Sequence, residues 1–127
     1  MRKKTIEDYV ELVRDLQKGK KRVHTNDIAT SLNINPSSVT EVLQKLSDEG
    51  HIDYEKYLGV TLTEKGRKIA RETKKRHNTI KEFLLLLGLD ENIAEEDACE
   101  MEHILHKSTM KAITHFVENR RKGRPDE

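Results

Sequence analysis

Residues 25–50 read TNDIATSL-NIN-PSSVTEVLQKLSDEG, and the spacing of their apolar side chains decides the fold. Ile28, Ala29 and Leu32 recur at helical intervals, and so do Val39, Val42, Leu43 and Leu46. Asn33-Ile34-Asn35 separates the two runs as a turn. Thr25 is the expected N-cap of the first, short helix. Asn35 is the expected cap of the second, with Pro36 at its first position, where the missing N–H costs nothing. Gly50 stops that second helix. Two helices joined by so short a turn make a helix–turn–helix.

Working outward, two short strands are expected around residues 52–54 and 60–62, with residues 55–59 as the loop between them. Helix, turn, helix and hairpin is the order of a winged helix–turn–helix. Upstream, Ile6, Tyr9, Val10, Val13 and Leu16 share one face of a helix over residues 5–16. Gly19 ends it within a basic stretch, residues 18–22. Downstream, Thr63 and Glu64 open a long helix to about Leu87, which Gly88 ends. Two more helices are expected over residues 91–106 and 108–120, followed by a disordered tail over 121–127. The fold class is therefore mostly α with a small β wing. Residues 1–70 form a winged helix–turn–helix domain and residues 71–127 a helical domain, the boundary being a change of role along one continuous helix.

The 127 residues are 37% charged and 34% hydrophobic, with a net charge of +1, so no global charge draws the chain to a polyanion. The distribution is uneven. Residues 65–76 hold seven Lys or Arg against one acid, and residues 90–102 hold seven acids and no Lys or Arg. A single cysteine, Cys99, excludes a disulfide framework and a four-cysteine zinc knuckle. The start, Met1-Arg2-Lys3-Lys4, leads into a polar segment and not an apolar signal core. The longest apolar run, Phe83-Leu84-Leu85-Leu86-Leu87, is too short to span a bilayer. A cytoplasmic protein with no membrane partner is expected.

The helix starting at Pro36 is the one placed to enter a major groove. Its outward positions are Ser37, Ser38, Thr40 and Glu41, then Gln44 and Lys45. Hydroxyls and amides suit base edges and phosphate oxygens, and a helix N-terminus attracts phosphate. Lys56 and Tyr57, at the wing tip, are candidates for the DNA backbone. Read singly, such polar residues also serve an ordinary solvated helix face; the order of elements is what favours DNA.

Asp8 and Glu11 lie three apart on the first helix and project from the same side. Cys99, Glu102 and His103 stand at i, i+3 and i+4, which on a continuous helix places thiol, carboxylate and imidazole together. His77 sits on the long helix between these groups. Carboxylate and imidazole suit Mn2+ or Fe2+, and a thiolate moves preference toward Fe2+, Co2+, Ni2+ or Zn2+. The plain alternative is that Cys99 is a small core residue and the others are surface charges. His24, His51, His106 and His115 read as ordinary histidines.

The segments Ile6-Glu7-Asp8-Tyr9-Val10-Glu11, Asn35-Pro36-Ser37-Ser38-Val39-Thr40, Tyr54-Glu55-Lys56-Tyr57 and Leu62-Thr63-Glu64-Lys65-Gly66 resemble the manganese transport regulator. Cys99-Glu100-Met101-Glu102-His103 is similar to the Cys-x-x-Glu-His motif of the iron-sensing diphtheria toxin repressor branch of the same family. The resemblance spans residues 5–118. It implies a metal-dependent transcriptional repressor of metal-uptake genes, a homodimer that binds operator DNA when loaded with a divalent ion. It also implies Asp8, Glu11, His77, Cys99, Glu102 and His103 as metal ligands. An ion held by both groups of residues would tie the DNA-reading half to the helical half.

The chain departs from the family pattern in places. The manganese branch carries Glu where Cys99 stands, and the iron branch carries Met where Asp8 stands. Lys81 occupies a place where many relatives have a ligating Glu, with Glu82 adjacent, and Glu95 one where the iron branch has an ancillary His. Whether Glu82 or Glu95 completes a second metal position is left open. The SH3-like domain of the iron branch is expected to be absent.

Burying residues 83–87 together with Ile104, Leu105, Met110, Ile113, Phe116 and Val117 within so short a helical domain is difficult, so a second subunit is the expected cover. Two rival readings remain: a winged-helix regulator that needs no metal, and a metal-dependent hydrolase. The hydrolase lacks a general base outside the ligand set.

Overall fold

Alternate faces of the expected helices do bury the residues that their spacing selects. The computed structural model describes residues 1–19 and 22–123. Its elements run α1 (Lys3–Leu16), α2 (Thr25–Leu32), α3 (Pro36–Asp48), β1 (Ile52–Glu55), β2 (Gly59–Leu62), α4 (Glu64–Leu86), α5 (Glu91–Met101) and α6 (Lys107–Arg121). The chain separates into two compact units, Met1–Arg71 and Glu72–Glu127, the division falling inside α4.

In the first unit Val10 and Val13 of α1, Ile28 of α2, and Val39, Leu43 and Leu46 of α3 are fully buried in one cluster, joined by Val23, Ile52, Val60 and Leu62. Each such side chain contributes roughly 1.5–3 kcal/mol of burial. The wing is an antiparallel pair in the register Ile52↔Leu62, Asp53↔Thr61, Tyr54↔Val60 and Glu55↔Gly59. Val23 extends it by exchanging backbone hydrogen bonds with Val60 at 2.9 and 2.8 Å.

Two glycines make this packing possible. Gly59 has φ +107°, and a Cβ there would lie 2.6 Å from the Val23 carbonyl oxygen. Gly66, in the first turn of α4, packs so closely on the residue before β1 that a Cβ would sit 2.0 Å from the His51 carbonyl oxygen. The Thr63 hydroxyl holds this corner. It accepts from the Gly66 N–H at 3.2 Å and donates to the Gly50 carbonyl at 2.6 Å.

Several local expectations are corrected. Thr25 is the first residue of α2 and not its cap; His24 takes the cap position, and its side chain makes no capping hydrogen bond. Asn35 does occupy the cap of α3, but its side chain makes no capping bond either. The helix expected over residues 91–106 ends at Met101. Backbone bonds from His103 to Glu100 at 3.3 Å and from Ile104 to Met101 at 3.1 Å tighten the chain into a turn there. The turn brings Leu105 onto the core of the second unit. Of residues 20–21 in the basic stretch and 124–127 in the expected disordered tail, nothing follows, since they lie outside the described residues; Arg121 itself ends α6.

The second unit has a smaller apolar centre. Ile80 and Leu84 of α4 face Ala94 and Ala98 of α5, with Phe83, Met101, Leu105 and Met110 packed around them. Phe83 meets Phe116 of α6 edge to face, with ring centroids 5.4 Å apart. Asp90 caps α5, accepting from the Asn92 N–H at 2.7 Å and the Ile93 N–H at 3.3 Å. Among the described residues no helix is long and apolar enough to cross a membrane.

Candidate metal centre and nucleic-acid interface

On α4, His77 and Lys81 are one turn apart and share a face. On α5, Glu91, Glu95 and Cys99 follow at intervals of four along one stripe. These two stripes meet. His77 Nε2 lies 2.9 Å from Glu95 Oε2 and 3.1 Å from Glu95 Oε1. One donor atom each from His77, Glu95 and the Cys99 thiol fall within 4.8 Å of one another. Imidazole, carboxylate and thiol at that separation match the donor set of a divalent transition-metal site, so the residues present fit such an ion.

The other face of the His77 ring is also engaged. Its Nδ1 lies 2.9 Å from Glu102 Oε2, and Glu102 Oε1 lies 3.2 Å from His103 Nε2. His77 and Glu102 are both buried, at 4% and 5% exposure. This contact sets a carboxylate beside the second nitrogen of the imidazole. Arg76 adds to it, donating from Nε to the Glu102 backbone carbonyl at 3.0 Å.

The Glu95 carboxyl feels opposing influences. Burial pushes it up, but hydrogen bonds from His77 and Lys81, and their charges, outweigh burial and hold it below the ordinary carboxylate value. Lys81 is held above the ordinary lysine value, first by its hydrogen bond to Glu95 and then by Glu91.

The helix carrying Cys99 stops at Met101; Glu102, its C-cap, keeps a helical backbone and donates its N–H to the Ala98 carbonyl at 3.0 Å, and His103 lies beyond the helix end. Cys99 is exposed, which removes the alternative of a core thiol. Glu82 pairs with Arg121 of α6, and that hydrogen bond holds its carboxyl below the ordinary value. Of the two acids left open by the sequence, Glu95 joins His77 and Cys99. The cue was present in the spacing of Glu95 and Cys99, one turn apart; its meaning depended on a partner 18 residues away.

In the first unit, Asp8 and Glu11 bring carboxylate oxygens within 4.8 Å of each other on α1. Lys4 donates to Asp8 Oδ2 at 3.0 Å from one turn earlier. Crowding two carboxylates in this way favours a nearby cation.

All six candidate positions of α3 for DNA contact, Ser37, Ser38, Thr40, Glu41, Gln44 and Lys45, are exposed, opposite the buried stripe. Two of them are engaged locally: the Thr40 hydroxyl donates to the Pro36 carbonyl at 3.0 Å, and Gln44 Nε2 to Asp48 Oδ1 at 3.1 Å. At the wing tip Tyr57 is 87% exposed with φ +69°, and the Lys56 ammonium lies 5.3 Å from the centre of its ring. A groove lined by His24, Thr25, Asn26 and Thr40 of the helix–turn–helix and by Tyr54, Lys56 and Tyr57 of the wing lies within this unit.

Comparison with known proteins bears on both sites. Residues 1–60 match the iron dependent repressor N-terminal DNA binding domain, and residues 63–125 match the iron dependent repressor metal binding and dimerisation domain. The chain is 43% identical over 116 residues to an HTH-type transcriptional regulator of Methanocaldococcus jannaschii, covering 90% of this chain and 93% of that protein. It is 37% identical over 114 residues to the HTH-type transcriptional regulator MntR of Bacillus subtilis, covering 90% and 80%. A solved manganese-dependent transcriptional repressor in complex with manganese superposes with a TM-score of 0.77 at 26% identity, covering 89% of this chain and 52% of that one.

Proposed function

The chain belongs to the iron-dependent repressor family of transcriptional regulators, and from that premise we propose a divalent-metal-responsive repressor that binds operator DNA as a metal-loaded homodimer. Its relatives are regulators and not enzymes, and no hydrolytic role is assigned. The observation that carries the reading is the convergence of His77, Glu95 and Cys99 from two helices, backed by Glu102 on the far nitrogen of the imidazole.

In this reading the ion is held by His77, Glu95 and Cys99, with Glu102 and His103 beside them, while Asp8 and Glu11 serve as carboxylate ligands on α1. A bound divalent ion supplies two positive charges that offset the crowding of carboxylates and thiolate. His77 presents one nitrogen to it and is oriented through the other. Fe2+ and Mn2+ are the first candidates. Cys99 favours the softer Fe2+, Co2+, Ni2+ or Zn2+, and the carboxylates favour Mn2+.

The unit Met1–Arg71 reads DNA. The exposed hydroxyls and amides of α3 meet base edges, and Lys45, Lys56 and Tyr57 meet the backbone, so affinity falls steeply with salt. The unit Glu72–Glu127 dimerises through an exposed apolar set, in which Leu85, Leu86 and Leu87 are 42%, 46% and 58% exposed. Two-fold recognition of paired half-sites needs such a pairing. In this reading the operator DNA partner makes it a cytoplasmic protein.

Metal and DNA then act through linkage: an ion that binds the DNA-competent conformation more tightly raises DNA affinity by the same factor as DNA raises metal affinity. The test is fluorescence anisotropy of labelled promoter DNA with the full chain, first in chelator and then with Mn2+ or Fe2+. Metal is expected to raise affinity by about tenfold or more, the scale of ordinary allosteric coupling. Equal affinity in both conditions would mean a metal-independent regulator.

A further inference from the structure

One charged group at the metal cluster has no place among its ligands. The Lys81 ammonium lies 3.2 Å from Glu95 Oε2 and 3.4 Å from Glu91 Oε1. The same Glu95 Oε2 is the atom 2.9 Å from His77 Nε2. One carboxylate oxygen is therefore shared by the imidazole and by a lysine one turn further along α4. The Lys81 side chain is 26% exposed against 78% for Glu91, so it lies along the helix pair and not out in solvent.

From this geometry we propose that Lys81 is a built-in counter-cation of the metal cluster, which lowers its affinity for divalent ions. The proposal rests on the reading of His77, Glu95 and Cys99 as metal ligands. Two physical effects act in the same direction. An ion that takes Glu95 as ligand competes with Lys81 for the same oxygen. Once bound, it stands beside a fixed positive charge, which repels a divalent ion twice as strongly as a monovalent one. Lysine suits this role because its ammonium is a compact point charge on a flexible stem, able to give up the carboxylate without leaving the site. The consequence for a regulator is a raised threshold: the cluster stays empty until the metal concentration is high enough to displace the internal cation.

Lys81 could instead steady Glu95 for the ion, in which case its loss would weaken binding, so the sign of the effect separates the two roles. The experiment is titration of the full chain with Mn2+ and with Co2+ by calorimetry, the Co2+ arm also followed by its visible absorption, for wild type, Lys81→Met and Lys81→Arg. Thermal melting of the three metal-free proteins checks that each is folded. Taking the modest interaction of largely exposed charges, doubled for a divalent ion, as the guide, Lys81→Met should bind each ion about tenfold more tightly, and Lys81→Arg should stay within about twofold of wild type. The difference between Met and wild type should shrink in high salt. Saturable binding by wild type with unchanged or weaker binding by Lys81→Met overturns the role of Lys81 and leaves the metal site standing. Absence of saturable binding in both wild type and Lys81→Met overturns the metal site and this proposal with it.

Discussion

The two units of the chain solve the problem of having an interior in opposite ways. Met1–Arg71 draws apolar residues from four helices and both strands into one cluster, with valine, leucine and isoleucine at most of its buried positions. In Glu72–Glu127 the buried cluster is two large side chains, Ile80 and Leu84, facing two alanines, and Ile113 and Val117 of α6 are buried as well. Thr73, His77 and Glu102 are buried in the same unit, while Leu85, Leu86 and Leu87 are left outside. Alanines let helices approach but bury little area, and buried polar groups cost energy unless they are satisfied. The first unit thus rests mainly on apolar packing, with Glu7 and His51 as its buried polar residues. The second gives part of its interior to donor atoms and part of its apolar surface to the outside, and looks for stability to whatever binds in those two places.

The comparison breaks most visibly at Gly66. If the first unit depends on dense apolar packing, Gly66→Ala must push α4 away from the His51 carbonyl, since a Cβ 2.0 Å from that oxygen cannot be accommodated in place. Overpacking of this kind is expected to cost about 3 kcal/mol. Urea unfolding of the metal-free protein measures it. A loss below about 0.5 kcal/mol, the range of ordinary surface changes, would show that the corner yields freely and that the first unit is less tightly built than described.

A smaller effect is expected at Cys99. Its exposure means that Cys99→Glu should leave stability within about 0.5 kcal/mol of wild type. The change replaces a soft donor by a hard one beside His77 and Glu95, so the ratio of Mn2+ to Co2+ affinity should rise by about tenfold. Competitive titration of the two ions reads that ratio. An unchanged ratio with unchanged stability would take Cys99 out of the metal site and leave the histidines and carboxylates to form it.

These contrasts also mark what was legible in the sequence. The helix–turn–helix and wing were readable because their signals are local: Val39, Leu43 and Leu46 recur within one helix, and Gly50 and Gly59 punctuate it and the hairpin. The candidate metal cluster was readable only in part. His77 and Cys99 are residue types that invite the question, but Glu95 acquires its role through a partner on another helix. The end of α5 was misjudged for the same reason. Nothing in Met101-Glu102-His103 breaks a helix locally; the turn is sustained by Glu102 reaching His77 and by Leu105 packing on Ile80 and its neighbours. Lys81 read as an ordinary departure from a pattern until the distance to Glu95 gave it something to do.

The central claim is that the polar interior of the second unit is a place for a divalent ion. It is tested most directly by calorimetric unfolding of wild type and His77→Gln, each in chelator and in Mn2+. With the ion at about a hundredfold over its dissociation constant, wild type should gain about 3 kcal/mol of stability, and His77→Gln should gain little or none. No gain in wild type, or the same gain in both proteins, would contradict the claim.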